Sequence, residues 1–266
     1  MAYRLIAIDI DGTLLNEAEQ IPPRVLDAIQ QAKKKGAYVV LSTGRTRKGA
    51  LRFYEALALN TPFITAGGAE VHDASGRLMF SQNVDPALVR KVLEFAYKRG
   101  LHPQVYIDGE LVFREHNEYA AAYERPYGFP GVVVPELMEM GDIATPKVLY
   151  VMEADQVADV RNETKALFPT LTIKQSRPTY LEFMDPAVSK GKALEFVAAH
   201  YGLNMSEVIA IGDTEIDAPM IEAAGLGVAV DNAYEHVKQT ADIVCPSNDD
   251  GGVADVIHQY ILEAGK

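Results

Sequence analysis

The stretch AIDIDGTLL, residues 7–15, decides how the rest of the chain is read. An apolar run of the kind that fills a buried strand ends on two aspartates one residue apart. Side chains alternate along a strand, so Asp9 and Asp11 project together while Ile10 points the other way. Gly12 then lets the backbone turn at once. Buried like charges are costly, and each needs a partner, a proton or a metal. Surface aspartates at a solvated strand end are the plain alternative. The apolar character of the run, and the repetition of its placement further along, speak against that.

Working outward, YRLIAIDI (3–10) and AYVVLSTGR (37–45) read as strands, with PFITAGG (62–68) as a third. Between them PPRVLDAIQQAKKKG (22–36) carries Val25, Leu26, Ile29 and Ala32 at helical spacing and ends on a glycine. TRKGALRFYEALAL (46–59) reads as a second helix. Near-continuous apolar strands alternating with amphipathic helices predict an α/β fold with a parallel sheet covered on both faces. Ligand sites in such sheets lie at the carboxyl ends of the strands, where the aspartates are.

The style changes after about residue 70. AEVHDASGRLMF (69–80) and HPQVYIDGELVFRE (102–115) have the look of hairpins, the second turning on Asp108-Gly109. Asp85-Pro86 opens a helix, with aspartate as cap and proline at the first helical position. HNEYAAAYERPYGFPG (116–131) holds three tyrosines, which either line an entrance or pack on a sheet. TPKVLYVME (145–153) and LTIKQSRPTYLEFMDP (171–186) continue in mixed α+β fashion. From Ser189 the alternating style returns, and GGVADVIHQYILEA (251–264) reads as a closing helix. The simplest organisation is one α/β domain built from residues 1–83 and 187–266, with a second domain of residues 84–186 inserted.

Bulk composition narrows the function. The 266 residues carry 25 basic and 37 acidic side chains, a net charge of −12. Such a chain is a poor general binder of nucleic acid or anionic membrane, and it repels phosphorylated ligands unless local cations reverse the field. The one cysteine, Cys245, excludes an intrachain disulfide and fits a reducing compartment. No signal peptide or bilayer-length apolar run is read, so a cytoplasmic protein is expected.

Three further segments place chemistry at strand and helix ends. Ser42-Thr43-Gly44-Arg45 supplies hydroxyls, a turn and a guanidinium suited to phosphate; a capping threonine and a surface arginine would look the same. In SKGKAL (189–194), Lys190 opens a helix against the macrodipole, which suggests that it answers an anion. EVIAIGD (207–213) ends on Asp213, with Asp217 four residues later on the next helix. Four acidic groups near one lysine suggest a hard-cation site, and oxygen ligands favour Mg²⁺ over zinc or copper. No HExxH, G-x-S-x-G, Walker loop or G-x-G-x-x-G spacing is present.

DIDGTLL (9–15), STGR (42–45), SKGKAL (189–194) and GDTEIDAPM (212–220) resemble, in order, the four motifs of the haloacid dehalogenase superfamily. The similarity is greatest to its Cof-type sugar phosphatases and runs the whole chain. It implies a Rossmann-like core with an inserted α+β cap that selects the substrate, and a Mg²⁺-dependent phosphomonoester hydrolase acting on small phosphorylated metabolites. It further implies Asp9 as nucleophile, Asp11 as general acid and base, and Thr43 and Lys190 as phosphate holders. The metal would be held by the Asp9 side chain, the Asp11 carbonyl and Asp213, with Asp217 orienting its shell. Thr13, Gly44, Arg45 and Gly67 are the expected substrate-binding positions. The chain departs from the family at Ile216 and Gly67, where asparagine is usual. A hexose-phosphate mutase and a non-catalytic sensor of phosphorylated metabolites are the rival readings, the latter motivated by Ile216. Oligomeric state is not legible.

Overall fold

The computed structural model describes residues 3–263, which form two units. The first takes the chain up to Gly44, Ala50–Phe80, and Ser189 onward; the second takes Arg45–Gly49 and Ser81–Val188. The sequence borders at 83/84 and 186/187 shift by two or three residues for local reasons. Val188 N closes a turn on the Asp185 carbonyl, so the second flank belongs with the insert.

The first unit begins with β1 (Leu5–Ile8), α1 (Pro23–Lys34), β2 (Tyr38–Leu41), α2 (Arg47–Ala56, from Ala50 on), β3 (Phe63–Thr65), β4 (Glu70–His72) and β5 (Leu78–Ser81, up to Phe80). The insert holds α3 (Pro86–Lys98), β6 (His102–Ile107), β7 (Glu110–Phe113), α4 (Glu118–Tyr127), β8 (Val132–Val133), β9 (Lys147–Val151), α5 (Val157–Leu167), β10 (Thr172–Arg177) and β11 (Tyr180–Met184). The chain then returns through α6 (Lys190–His200), β12 (Val208–Gly212), α7 (Ala218–Ala223), β13 (Leu226–Val230), α8 (Glu235–Thr240), β14 (Ile243–Cys245) and α9 (Gly252–Ile257). The end of the closing helix read from the sequence, at Ala264, lies outside the described residues.

Five parallel strands in the order β14-β13-β12-β1-β2 form the main sheet of the first unit. Ile6, Ile8, Leu41, Ile209 and Val228 face one core with Ile29 and Ile257. Leu5, Ala7, Val40 and Ala210 face the other with Leu194 and Val197. Both faces are buried, which is why these strands read as unbroken apolar runs. β1 lies between β2 and β12, where successive connections leave in opposite directions, the place such sheets reserve for ligands. In register, Ile8 pairs with both Leu41 and Ile211, so Asp9, Ser42 and the Gly212–Asp213 link stand at one level.

One expectation is corrected. The third strand does not join the parallel ladder as a full member. It touches β2 through the single bridge Ser42–Ile64 and pairs antiparallel with β4 in a small sheet ordered β3-β4-β5. The bridge is parallel, so β3 runs in the direction of the main sheet, and the short turn at Ala66–Gly68 brings β4 back as its antiparallel neighbour.

The second unit is a six-stranded sheet ordered β10-β11-β9-β6-β7-β8, antiparallel except for the β7–β8 pair. Asp85 caps α3 by accepting from Ala87 N and Leu88 N, as its Asp-Pro pair predicts. Val105, Val148, Leu181 and Phe183 pack with Val89, Val92 and Val160 on one face. Tyr106, Leu149 and Tyr180 pack with Ala120, Tyr123 and Tyr127 of α4 on the other. Tyr123 and Tyr127 therefore serve the packing alternative, and their hydroxyls join in a run with that of Tyr106.

Candidate active site

Asp9 follows directly on β1. Its backbone N–H still donates to the Ile211 carbonyl, so the residue is fixed by the sheet before the chain turns. The residue is 5 % exposed. Lys190 opens α6 and is fully buried, with Nζ 2.6 Å from Asp9 Oδ1, 2.5 Å from Asp217 Oδ1 and 2.9 Å from the Ser42 carbonyl. The surface-lysine alternative is thereby excluded. A lysine without intrahelical use at the N-terminal turn is spent on two carboxylates and a carbonyl, which fill its three donors.

Asp217 is not on the body of the next helix, where four-residue spacing places it. It ends the turn after β12 and α7 starts one residue later. Its Oδ2 accepts from Asp213 N at 3.2 Å, Thr214 N at 2.9 Å and Thr214 Oγ1 at 2.8 Å. A carboxylate satisfied by a lysine on one oxygen and a turn on the other is a fixed post. Asp213 is half-buried, and Thr13 Oγ1 donates to its Oδ1 at 2.8 Å. Gly12, at φ +81°, brings the backbone so near Asp213 that a Cβ would lie 2.4 Å from Oδ2.

Burial pushes the Asp9 carboxyl up to about 7, against the pull of Lys190. Burial also holds Asp213 well above the usual carboxylate range, reinforced by Asp9 and Asp217. Burial alone would lower Lys190, but the Asp217 and Asp9 carboxylates outweigh it and hold the ammonium above the ordinary lysine value. One lysine thus faces more acidic groups than it can neutralise. Asp9, Asp213 and Asp217 each bring a carboxylate oxygen within 4.8 Å of the others. An all-oxygen set with excess negative charge fits a hard divalent cation such as Mg²⁺ and not a soft one.

The remaining expected residues fall into two groups. Thr43 is fully buried; its N–H donates to the Ile64 carbonyl and its carbonyl accepts from Gly67 N. The turn holding Gly67 is thereby tied to the end of β2, beside half-buried Gly44. Gly68, at φ +99°, lets this turn abut the start of α6, since a Cβ there would lie 2.4 Å from the Ser189 carbonyl. Asp11 is half-buried on the turn Ile10–Leu14, and Ile216 is buried. Arg45 belongs to the second unit, where it is fully buried, donates to the Pro126 carbonyl at 3.1 Å and lies 4.6 Å over the Tyr127 ring.

Sequence reasoning missed Thr214, the Ser42 carbonyl and Asn232, whose side chain donates to the Gly12 carbonyl at 2.7 Å. The signal for Asn232 is weaker: it stands two residues past the end of the apolar strand LGVAV, after Asp231.

Comparison with known proteins places this geometry in context. Residues 6–257 match the model of a family described as haloacid dehalogenase-like hydrolase. A Bacillus subtilis 5-amino-6-(5-phospho-D-ribitylamino)uracil phosphatase is 34 % identical over 97 % of this chain and 96 % of its own. A second B. subtilis phosphatase is 30 % identical over 97 % of this chain and all of its own. Among solved structures, a haloacid dehalogenase-like hydrolase from Bacteroides thetaiotaomicron superposes with a TM-score of 0.86 at 28 % identity, covering 97 % of this chain and 99 % of that one.

Proposed function

Since the chain belongs to the haloacid dehalogenase-like hydrolase family, we propose that it is a Mg²⁺-dependent phosphomonoester hydrolase that works through an aspartyl-phosphate and takes small phosphorylated metabolites, sugar phosphates among them. The observation that carries this reading is the buried Lys190 ammonium fixed between Asp9 and Asp217 at the carboxyl edge of the sheet, with Asp213 beside them. The relatives named as phosphatases support the same class of reaction.

In this mechanism Asp9 attacks phosphorus while the bond from phosphorus to the leaving alcohol breaks, and Asp11 gives its proton to that oxygen. Asp11, now ionised, takes a proton from a water that attacks the aspartyl-phosphate. The bond from phosphorus to Asp9 then breaks, releasing inorganic phosphate and restoring both carboxyls. Thr43 holds phosphate oxygens, while the Lys190 ammonium, kept in place by Asp217, offsets the charge of Asp9 and the phosphoryl group. Gly44 and Gly67 leave room for substrate beside Thr43. Thr13 serves the site by orienting Asp213 through its hydroxyl, while the buried, stacked Arg45 acts within its own unit. The Asp9 and Asp213 side chains and the Asp11 carbonyl would hold the cation, which supplies positive charge to the transferring phosphoryl oxygens and keeps Asp9 ionised. The inserted domain is assigned the choice of leaving group.

The test is phosphate release from a panel of sugar phosphates, nucleotides and an aryl phosphate, with Mg²⁺ and with chelator. Metal-dependent release by wild type that Asp9→Asn abolishes supports the reading. Exchange of phosphate between positions of one sugar without release would indicate a mutase. Binding without turnover would indicate a sensor.

A further inference from the structure

The turn that carries Asp11 is held from outside by a circuit of side-chain hydrogen bonds. Asn232, just after β13, donates from Nδ2 to the Gly12 carbonyl at 2.7 Å. Its Oδ1 accepts from Asn248 N at 3.0 Å. Asn248, after β14, donates from its own Nδ2 to the Leu15 carbonyl at 2.7 Å. The circuit therefore starts and ends on the same segment, at Gly12 and Leu15. Beside it, Glu17 N donates to Asp249 Oδ1 at 2.9 Å.

The segment needs such support. It has two wide-turn bonds of its own, Leu14 N to the Asp9 carbonyl and Leu15 N to the Ile10 carbonyl. Inside it the backbone is not helical: Asp11 is extended at φ −83°, ψ 116°, and Gly12 is left-handed. A glycine peptide of this kind has little intrinsic preference for one orientation. The Gly12–Thr13 peptide plane, one bond beyond Asp11, is set by where the Gly12 carbonyl finds its donor. Asn232 is exposed and would not hold its amide still alone; the Asn248 N–H on Oδ1 fixes which end of that amide faces Gly12. Asn248 is 7 % exposed and gives the circuit its buried anchor.

We propose that Asn232 and Asn248 are positioning residues for Asp11, serving proton delivery to the leaving group in the hydrolase reaction put forward above, on which this inference rests. They touch no reacting atom. Their loss leaves Asp9, Lys190 and Asp213 on their strand and helix ends and loosens the turn that carries Asp11. The larger defect therefore falls on the step that needs a proton, and a smaller one, through the Asp11 carbonyl and Thr13, is shared by every ester. An alkyl phosphate, whose alkoxide leaves poorly, depends on that proton. An aryl phosphate such as p-nitrophenyl phosphate leaves with little help.

The experiment compares kcat/KM, which reads the steps through transfer to Asp9, for glycerol 3-phosphate and p-nitrophenyl phosphate in wild type, Asn232→Ala, Asn248→Ala and the double variant. For the alkyl ester each single variant is expected to lose about tenfold or more, out of the roughly hundredfold or greater contribution of a positioned acid. The aryl ester is expected to lose less than about threefold, a small share of that contribution. The double variant is expected to be no worse than the worse single one, since the bonds act in series. Equal losses on both esters with thermal stability retained, or no loss on either, overturn the positioning role. Because Asn232 is exposed, its variant is expected to fold even if Asn248→Ala does not. Wild type that releases phosphate from neither ester overturns the hydrolase reading and this inference with it.

Discussion

Lys190 Nζ lies 2.6 Å from Asp9 Oδ1, with the lysine side chain 0 % and the aspartate side chain 7 % exposed. An ion pair so enclosed is hard to dispense with, because removing one partner leaves a buried charge alone. Asp217 adds a second buried carboxylate on the same ammonium.

Lys190→Ala is therefore expected to affect both stability and rate. Removing a buried ionic partner costs about 3–5 kcal/mol, read by urea unfolding near neutral pH. The loss should shrink in acid, where Asp9 is protonated and no longer needs the cation. Turnover should fall by about 10²- to 10³-fold, as for loss of one electrostatic contact to the reacting group. Stability unchanged at neutral pH would mean that the two carboxylates have another counter-charge.

Proton linkage at Asp9 gives a second expectation. Its folded-state pKa, about 7, lies above the unfolded value of 3.8. The folded protein thus binds the extra proton, and the stability this gives is present at low pH and lost as pH rises through about 7. Burial drives the His102 imidazole down to about 4, which acts in the opposite direction, so the comparison must be between variants. In chelator, Asp9→Asn should gain on wild type as pH rises from about 5 to about 8. Added Mg²⁺ should raise the Tm of wild type at the upper end and that of Asp9→Asn much less. A gap between the two proteins that does not change with pH would contradict the strained carboxylate.

Gly12→Ala tests the crowding around Asp213. Its Cβ would fall 2.4 Å from Asp213 Oδ2 on a left-handed backbone, so the carboxylate must move. Displacements of this size at a reacting centre cost about a hundredfold in rate. We expect that loss together with weaker Mg²⁺ dependence, while circular dichroism shows the fold retained. Near-normal kinetics would show that Asp213 tolerates displacement.

What was legible in the sequence is what a strand end encodes. Asp9 and Asp213 stop apolar runs, and Lys190 stands where a helix start disfavours it, so pattern and propensity exposed all three. Cys245 ends the apolar run ADIVC and is 6 % exposed, its thiol pushed by burial up to about 12. Tertiary partners were not legible. Burial does not show which neighbour a strand pairs with, so the β3-β4-β5 sheet cannot be read from PFIT. The turn before α7 hides in helical spacing, so Asp217 was drawn on the helix face. Arg45 could not be told from a ligand-facing arginine, because its partners Pro126 and Tyr127 are some eighty residues away. The Asn232–Asn248 circuit depends on two loops that only the sheet order makes neighbours.

The central claim is that Asp9 carries the phosphoryl group. The most direct measurement is acid quench of wild type during turnover with Mg²⁺, followed by borohydride reduction and peptide mass spectrometry. An acyl phosphate on Asp9 would be reduced to homoserine at position 9, absent without substrate and absent in Asp9→Asn. Steady phosphate release with no modification at Asp9, or with the label on another residue, would contradict the account.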